Sequence, residues 1–431
     1  MRKIFFSVLV TAILGVAAGC GSGSSGGSTP VGVPTGGSGN TLSVAVDGGP
    51  IAGVNYQDAA FASAKICVPS SSTCVTVDHL LVDTGSVGVR VLSSALGTLA
   101  LPVETDGSGN NVNDCVQFAD TSYIWGQVES ADVTLGGEVA SDIPIHVIAD
   151  PTGFSIPSTC NTGGPDEDQL GSATTTGLGA NGILGIGSEP VDCLACDPNF
   201  SSTPIEGTYY LCSASACSST LLPEANQVVH PAAAFPVDNN GTVFELPAPT
   251  STNQTTLTGS VIFGIGTQSN NGLGSATVFT LGTNSTDFDE FTTVFPASGG
   301  QTLTSSFIDS GSNGIFFPDS AANVPVIQCT DNVFYCPAST QALSAQNLGA
   351  NGASGTVSFS VDNADTLFSA DSSDAVMQNL AGPNGTGTCS GTVGQCTFDW
   401  GLPFFFGRNV YTSIDGQAVP SSAPAAPWWA Y

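Results

Sequence analysis

Leu81-Val82-Asp83-Thr84-Gly85-Ser86-Val87-Gly88-Val89 and Phe307-Ile308-Asp309-Ser310-Gly311-Ser312-Asn313-Gly314-Ile315 are two writings of one pattern. Each has two apolar residues, Asp, a hydroxyl residue, Gly, Ser, any residue, Gly and an apolar residue. A second element recurs with it: Ile183-Leu184-Gly185 ends 102 residues after Asp83, and Phe405-Phe406-Gly407 ends 98 residues after Asp309. One short match occurs by chance in loops, but two matched elements at matched spacing describe a duplicated unit. Pro236, Pro247 and Pro249, with Asn239-Asn240-Gly241 between them, punctuate the stretch 235–255 and divide the copies.

The rest of the chain fits two β-lobes. At 431 residues it is long for one core and suits two of roughly 200 residues each. Its 53 Gly and 26 Pro argue against long amphipathic helices. Short apolar runs between turn residues read as strands: Thr41 to Val46, Leu80 to Val82, Ala131 to Leu135, Ile143 to Ile148 and Ser260 to Ile265. The expected division is a leader over 1–19, a Gly/Ser-rich tether over 20–40, an N-terminal lobe over 41–240 and a C-terminal lobe over 241–431, each lobe with its own core.

Charge removes one class of partner. The formal net charge is −30, and beyond the leader the only cations are Lys65, Arg90 and Arg408, so no basic footprint exists for nucleic acid. Met1-Arg2-Lys3 and the apolar run Ile4 to Val16 have the layout of an export signal, too short to span a bilayer durably. Ala17-Ala18-Gly19-Cys20 resembles a bacterial lipoprotein cleavage box, with Cys20 as the lipidated residue, and Ser22 resembles lipoproteins sent to the outer membrane, on its periplasmic or cell-surface face.

Of 13 cysteines, the twelve beyond Cys20 make an even set in an exported chain, and disulfides are expected. Cys67/Cys74, Cys329/Cys336 and Cys389/Cys396 each close a short loop. Cys115 with Cys160 follows by elimination if Cys193, Cys196, Cys212 and Cys217 pair among themselves; the alternative for those four is a thiolate zinc site. His79, His146 and His230 have no ligand spacing, and the acidic turns at 166–168, 287–290 and 371–374 lack that of a calcium loop, so no metal or other cofactor is expected. Gly23-Ser24-Ser25-Gly26-Gly27 fits a nucleophile motif but lies in the tether, with no strand before it.

The duplicated Asp-Thr/Ser-Gly-Ser is similar to the active-site signature of pepsin-like aspartic proteases, over nearly the whole chain beyond the tether. Asn181 to Gly187, Ser260 to Gly264 and Phe404 to Asp415 resemble further segments of that family. The leader and the Gly-rich composition also look like a bacterial lipoprotein family that carries these motifs. The resemblance implies a bilobal, mainly β fold with a cleft between related lobes and Asp83 and Asp309 facing each other across it. Two carboxylates so close share one proton, so one serves as base and the other as acid toward a water that attacks a peptide carbonyl. In this reading Gly85 and Gly311 offer backbone N–H groups to the carboxylates, Ser86 and Ser312 bond their outer oxygens, and Thr84 and Ser310 brace the loops. The expected substrate is an extended peptide or unfolded protein met by a monomer that touches the membrane only through its lipid.

Two departures from the family pattern stand out. Arg90 occupies a position where these enzymes carry Trp; its readings are a partner such as Asp120 or an acidic ligand group, or a surface-facing strand residue. The flap expected within Cys115 to Gln127 offers Phe118, Tyr123 and Trp125, none in the usual Tyr-Gly-x-Gly context. A non-catalytic binding or scaffold protein on the same frame is therefore the alternative.

Overall fold

The computed structural model describes residues 37, 39–118, 121–149, 153–161, 163–200, 204–214, 216–282, 290–318, 326–384 and 397–431. Strands dominate among these residues, and the α-helices are the short Ser93–Leu96 and Ala364–Ala370. Four of the five expected strand runs lie wholly within Thr41–Val46, Cys74–Asp83, Tyr123–Leu135 and Glu138–Ile148, while Ser260 to Ile265 runs two residues past the end of the strand Leu257–Phe263.

Each signature sits in the same three-strand arrangement. Gly182–Ile186 runs parallel to Cys74–Asp83, with Leu80 opposite Gly182 and Asp83 opposite Gly185, and antiparallel to Val87–Leu92. In the second half Asp399–Trp400 runs parallel to Gln301–Ile308, with Phe307 opposite Asp399, and antiparallel to Ile315–Phe317. The residue that answers to Gly185 is therefore Gly401, not Gly407. A Cβ on Gly401 would lie 2.0 Å from the Gly314 carbonyl oxygen, just as one on Gly185 would meet the Val87 backbone at 2.7 Å. Phe405-Phe406-Gly407 instead turns the chain after the 3₁₀ segment Leu402–Phe404 and enters the strand Arg408–Ser413. An acid in place of the first apolar residue had hidden the true counterpart from a hydrophobic pattern.

The two halves share structure. Thr41–Val46 pairs antiparallel with Leu257–Phe263 from the distant half, and Gly241–Leu246 lies between that strand and Arg408–Ser413. Residues read as a divider thus form a central strand, because the alternation of Val243 and Phe244 fits a two-sided sheet. One continuous apolar core joins Val82 and Leu184 to Ile308 and Trp400, in place of the two separate cores expected. Two related β-lobes meeting at the signature loops make the bilobal, pepsin-like arrangement.

Candidate active site

Residues alternate faces along these strands. Val82, Leu184, Ile308 and Trp400 enter the core, so Asp83 and Asp309 project from the opposite face at the strand ends. The two carboxyls are hydrogen-bonded to each other. Both are 0 % exposed. Asp83 Oδ1 accepts from Gly85 N at 2.8 Å, and Asp309 Oδ1 from Gly311 N at 2.7 Å. The outer oxygens accept from hydroxyls: Ser86 Oγ donates to Asp83 Oδ2, and Ser312 Oγ to Asp309 Oδ2 at 2.8 Å. Burial, then the neighbouring Asp309 charge, pushes Asp83 well above the usual carboxylate range; burial also raises Asp309, against the donors around it. The pair thus keeps a shared proton at a pH where an isolated carboxyl has lost it.

Four hydrogen bonds cross-link the loops beneath the carboxyls. Thr84 Oγ1 donates to the Ile308 carbonyl at 2.9 Å and accepts from Ser310 N at 2.9 Å. Ser310 Oγ donates to the Val82 carbonyl at 2.7 Å and accepts from Thr84 N at 3.1 Å. Because each hydroxyl both donates and accepts across the approximate two-fold, neither loop can shift alone, which holds the acids in register. Gly85 is required by close approach: a Cβ there would stand 2.8 Å from Asp309 Cγ.

A third acid, missed in the sequence, lies beside the pair. Asp399, buried, shares the Ser312 hydroxyl with Asp309, and burial followed by the Asp309 charge raises it well above the ordinary range. Only its spacing from Asp309, ahead of Trp400-Gly401, could have flagged it.

The stretch expected to form the flap folds as an antiparallel hairpin of Asn111–Gln117 and Tyr123–Leu135. Antiparallel pairing puts Val116, Phe118 and Ile124 on one face, packed with Leu81 and Ile183 beside Asp83. Tyr123 and Trp125 take the other face, against the Cys115–Cys160 disulfide and Tyr210. Of the three flap candidates, Phe118 alone is on the face toward the signature strands. The hairpin is no free arm, since Asn111–Gln117 also pairs with Tyr209–Ser213.

Arg90 is fully buried, not surface-facing, because Val87–Leu92 has strand neighbours on both sides. Its Nη1 donates to Asp114 Oδ2 at 2.5 Å and its Nη2 to Asp192 Oδ2 at 2.8 Å, while Asp120 lies outside the described residues. Tyr209 donates its hydroxyl to Asp192, and His146, held neutral by burial and by Arg90, presents Nδ1 to the guanidinium at 3.0 Å. This network ties the flap strand, through Asp114, to the strand that leaves the first signature. A second unforeseen tie spans the halves: Asp58 Oδ1 accepts from Met377 N at 2.7 Å, and Asp58 N donates to the Ala375 carbonyl at 2.7 Å.

The remaining candidates have local roles. Disulfides join Cys67 to Cys74, Cys115 to Cys160, Cys193 to Cys196, Cys212 to Cys217 and Cys329 to Cys336, which leaves the central four no thiolates for zinc. Cys20 and the pair Cys389/Cys396 lie outside the described residues. All three histidines are buried. Asp168, read as part of a solvated turn, accepts from Trp125 N at 2.6 Å. Trp428 and Trp429 are buried in a strand paired with Arg408–Ser413 and Val278–Thr280.

The sequence profile of the family described as protein of unknown function (DUF3443) matches residues 36–431. The chain belongs to that family. No curated protein matches its sequence. Among solved structures, the aspartic proteinase from Irpex lacteus is similar at 16 % identity, over 86 % of this chain and 93 % of that one, with a TM-score of 0.46. The fold of this family member stands on its own strand pairings.

Proposed function

We propose that this protein is an aspartic endopeptidase that hydrolyses peptide bonds of extended or unfolded chains with a water activated between Asp83 and Asp309. The observation that carries the reading is the hydrogen-bonded carboxyl pair, each acid held by a glycine N–H and a serine hydroxyl on cross-linked loops. With one proton on the pair, the ionised carboxyl removes a proton from water as its oxygen bonds to the peptide carbonyl carbon, and the protonated carboxyl gives its proton to the carbonyl oxygen. Collapse of that tetrahedral adduct breaks the C–N bond, a proton passes to the leaving nitrogen, and the pair regains its singly protonated state. No covalent intermediate forms on the protein.

Export accords with five disulfides, and among the described residues no helix is long and apolar enough to cross a membrane. We assign Cys20 as a lipid anchor to the outer membrane, with the lobes dividing at residue 240 and the protein acting as a monomer.

One observation favours the second reading, a non-catalytic binding or scaffold protein: both acids are sealed from solvent, and the hairpin packed on Leu81 and Ile183 is held by a disulfide and a further strand pair. Cleavage of an unfolded protein from pH 3 to pH 7 separates the two. Acid-favoured cleavage abolished by Asp83→Asn, by Asp309→Asn and by pepstatin is expected; a folded protein that cleaves nothing across that range overturns the enzyme reading.

A further inference from the structure

The strand pairings equate Asp399 with Ile183. Leu81 lies opposite Ile183, and Phe307 opposite Asp399, in equivalent parallel ladders. Because Leu184 and Trp400 enter the core, Ile183 and Asp399 both project on the face that carries Asp83 and Asp309. Their surroundings differ. Ile183 is packed among Leu81, Phe118 and Leu178, so the first-lobe side of the carboxyl pair is apolar. On the second-lobe side stands an acid whose carboxyl meets Ser312 and whose Oδ1 is buried without a hydrogen-bond partner among the described residues.

A buried carboxyl oxygen without a donor is costly to the fold, and it persists most readily where a ligand supplies the missing donor. No described cation of the chain does so. Arg90 is committed to Asp114 and Asp192, Lys65 is exposed on the strand Ala60–Cys67, and Arg408 Nη1 donates to the Phe404 carbonyl at 2.5 Å. Three carboxyls thus share one buried region with no internal counter-charge.

We propose that Asp399 is a specificity-determining residue, the base of an acidic subsite that receives a lysine or arginine side chain from the peptide residue lying on the second-lobe side of the scissile bond. An N–H of that side chain bonds Oδ1, and its charge offsets the crowded acids. An apolar side chain would leave Oδ1 unpaired, and an acidic one would add repulsion. The proposal rests on the peptide-cleft reading given above, which also supplies the scissile bond.

The test is binding, so it does not need turnover. The full chain is titrated with peptides whose scissile bond is replaced by a reduced, uncleavable one, carrying lysine or norleucine on either side of it. Wild type should prefer lysine over norleucine by about tenfold or more at one of the two positions, the value of one charge-assisted hydrogen bond. Asp399→Ile should reverse that preference, and the isosteric Asp399→Asn, which keeps the local shape, should bring the two peptides within about twofold. Equal binding of both peptides at both positions, a lysine preference that survives in Asp399→Ile and Asp399→Asn, or no binding at all would overturn the proposal. Cleavage of ordinary peptides is scored in parallel. An Asp399-dependent lysine preference without cleavage keeps the subsite and removes the endopeptidase; cleavage without such a preference does the reverse.

Discussion

Asp114→Asn should flatten the pH dependence of stability. Arg90 lies between Asp114 and Asp192 in a fully buried cluster, one cation against two acids, so the acids retain a proton between them. Burial pushes Asp114 up to about 7; Arg90 opposes the rise and Asp192 adds to it. An unfolded Asp titrates near about 3.9. Since the folded state holds this proton more tightly, its contribution is complete below about pH 4 and is lost as pH rises toward 7. Roughly three pH units at about 1.36 kcal/mol each make the loss about 4 kcal/mol. With an unfolding entropy of about 2.1 cal/mol/K per residue over roughly 400 residues, that is a fall of about 5 °C in Tm. Asn keeps the shape, donates to Asp192 and accepts from Arg90, but cannot ionise. Scanning calorimetry of both proteins from pH 4 to pH 8 at constant ionic strength should show the variant gaining about 5 °C relative to wild type across the range. Other raised acids, Asp58 and Asp399 among them, act equally in both and cancel. Parallel curves would refute the reasoning.

Gly85→Ala should lower peptide cleavage by about 100-fold or more while Tm moves little, because the new Cβ displaces the Asp309 carboxyl, which it would meet at 2.8 Å, rather than the core; unchanged kinetics would show that the close approach is immaterial. The double variant Cys115→Ala/Cys160→Ala should cost about 4 kcal/mol in denaturant unfolding, since it frees a loop spanning 45 residues. A loss below about 1 kcal/mol would mean that the hairpin is held by its strand pairing alone.

What was legible in the sequence was local or duplicated. The Asp-Thr/Ser-Gly-Ser pairs, the strand runs and the short-range cysteine pairs need only a period of two, a turn residue or a small loop, and each of these is written in consecutive residues. Arg90 was visible as an oddity, but its partners were not, because Asp114 and Asp192 lie 24 and 102 residues away and meet it only through strand pairing.

By itself the sequence determined that the chain is a duplicated β protein with one acid loop per copy, since hydrophobic alternation and glycine placement are written within each segment. Tertiary structure alone decided which residues surround those acids. Asp399 comes to Asp309 because Asp399–Trp400 enters the sheet between Gln301–Ile308 and Ile315–Phe317. Burial raises its carboxyl, and long-range pairing, which no local pattern encodes, sets both its depth and its neighbours.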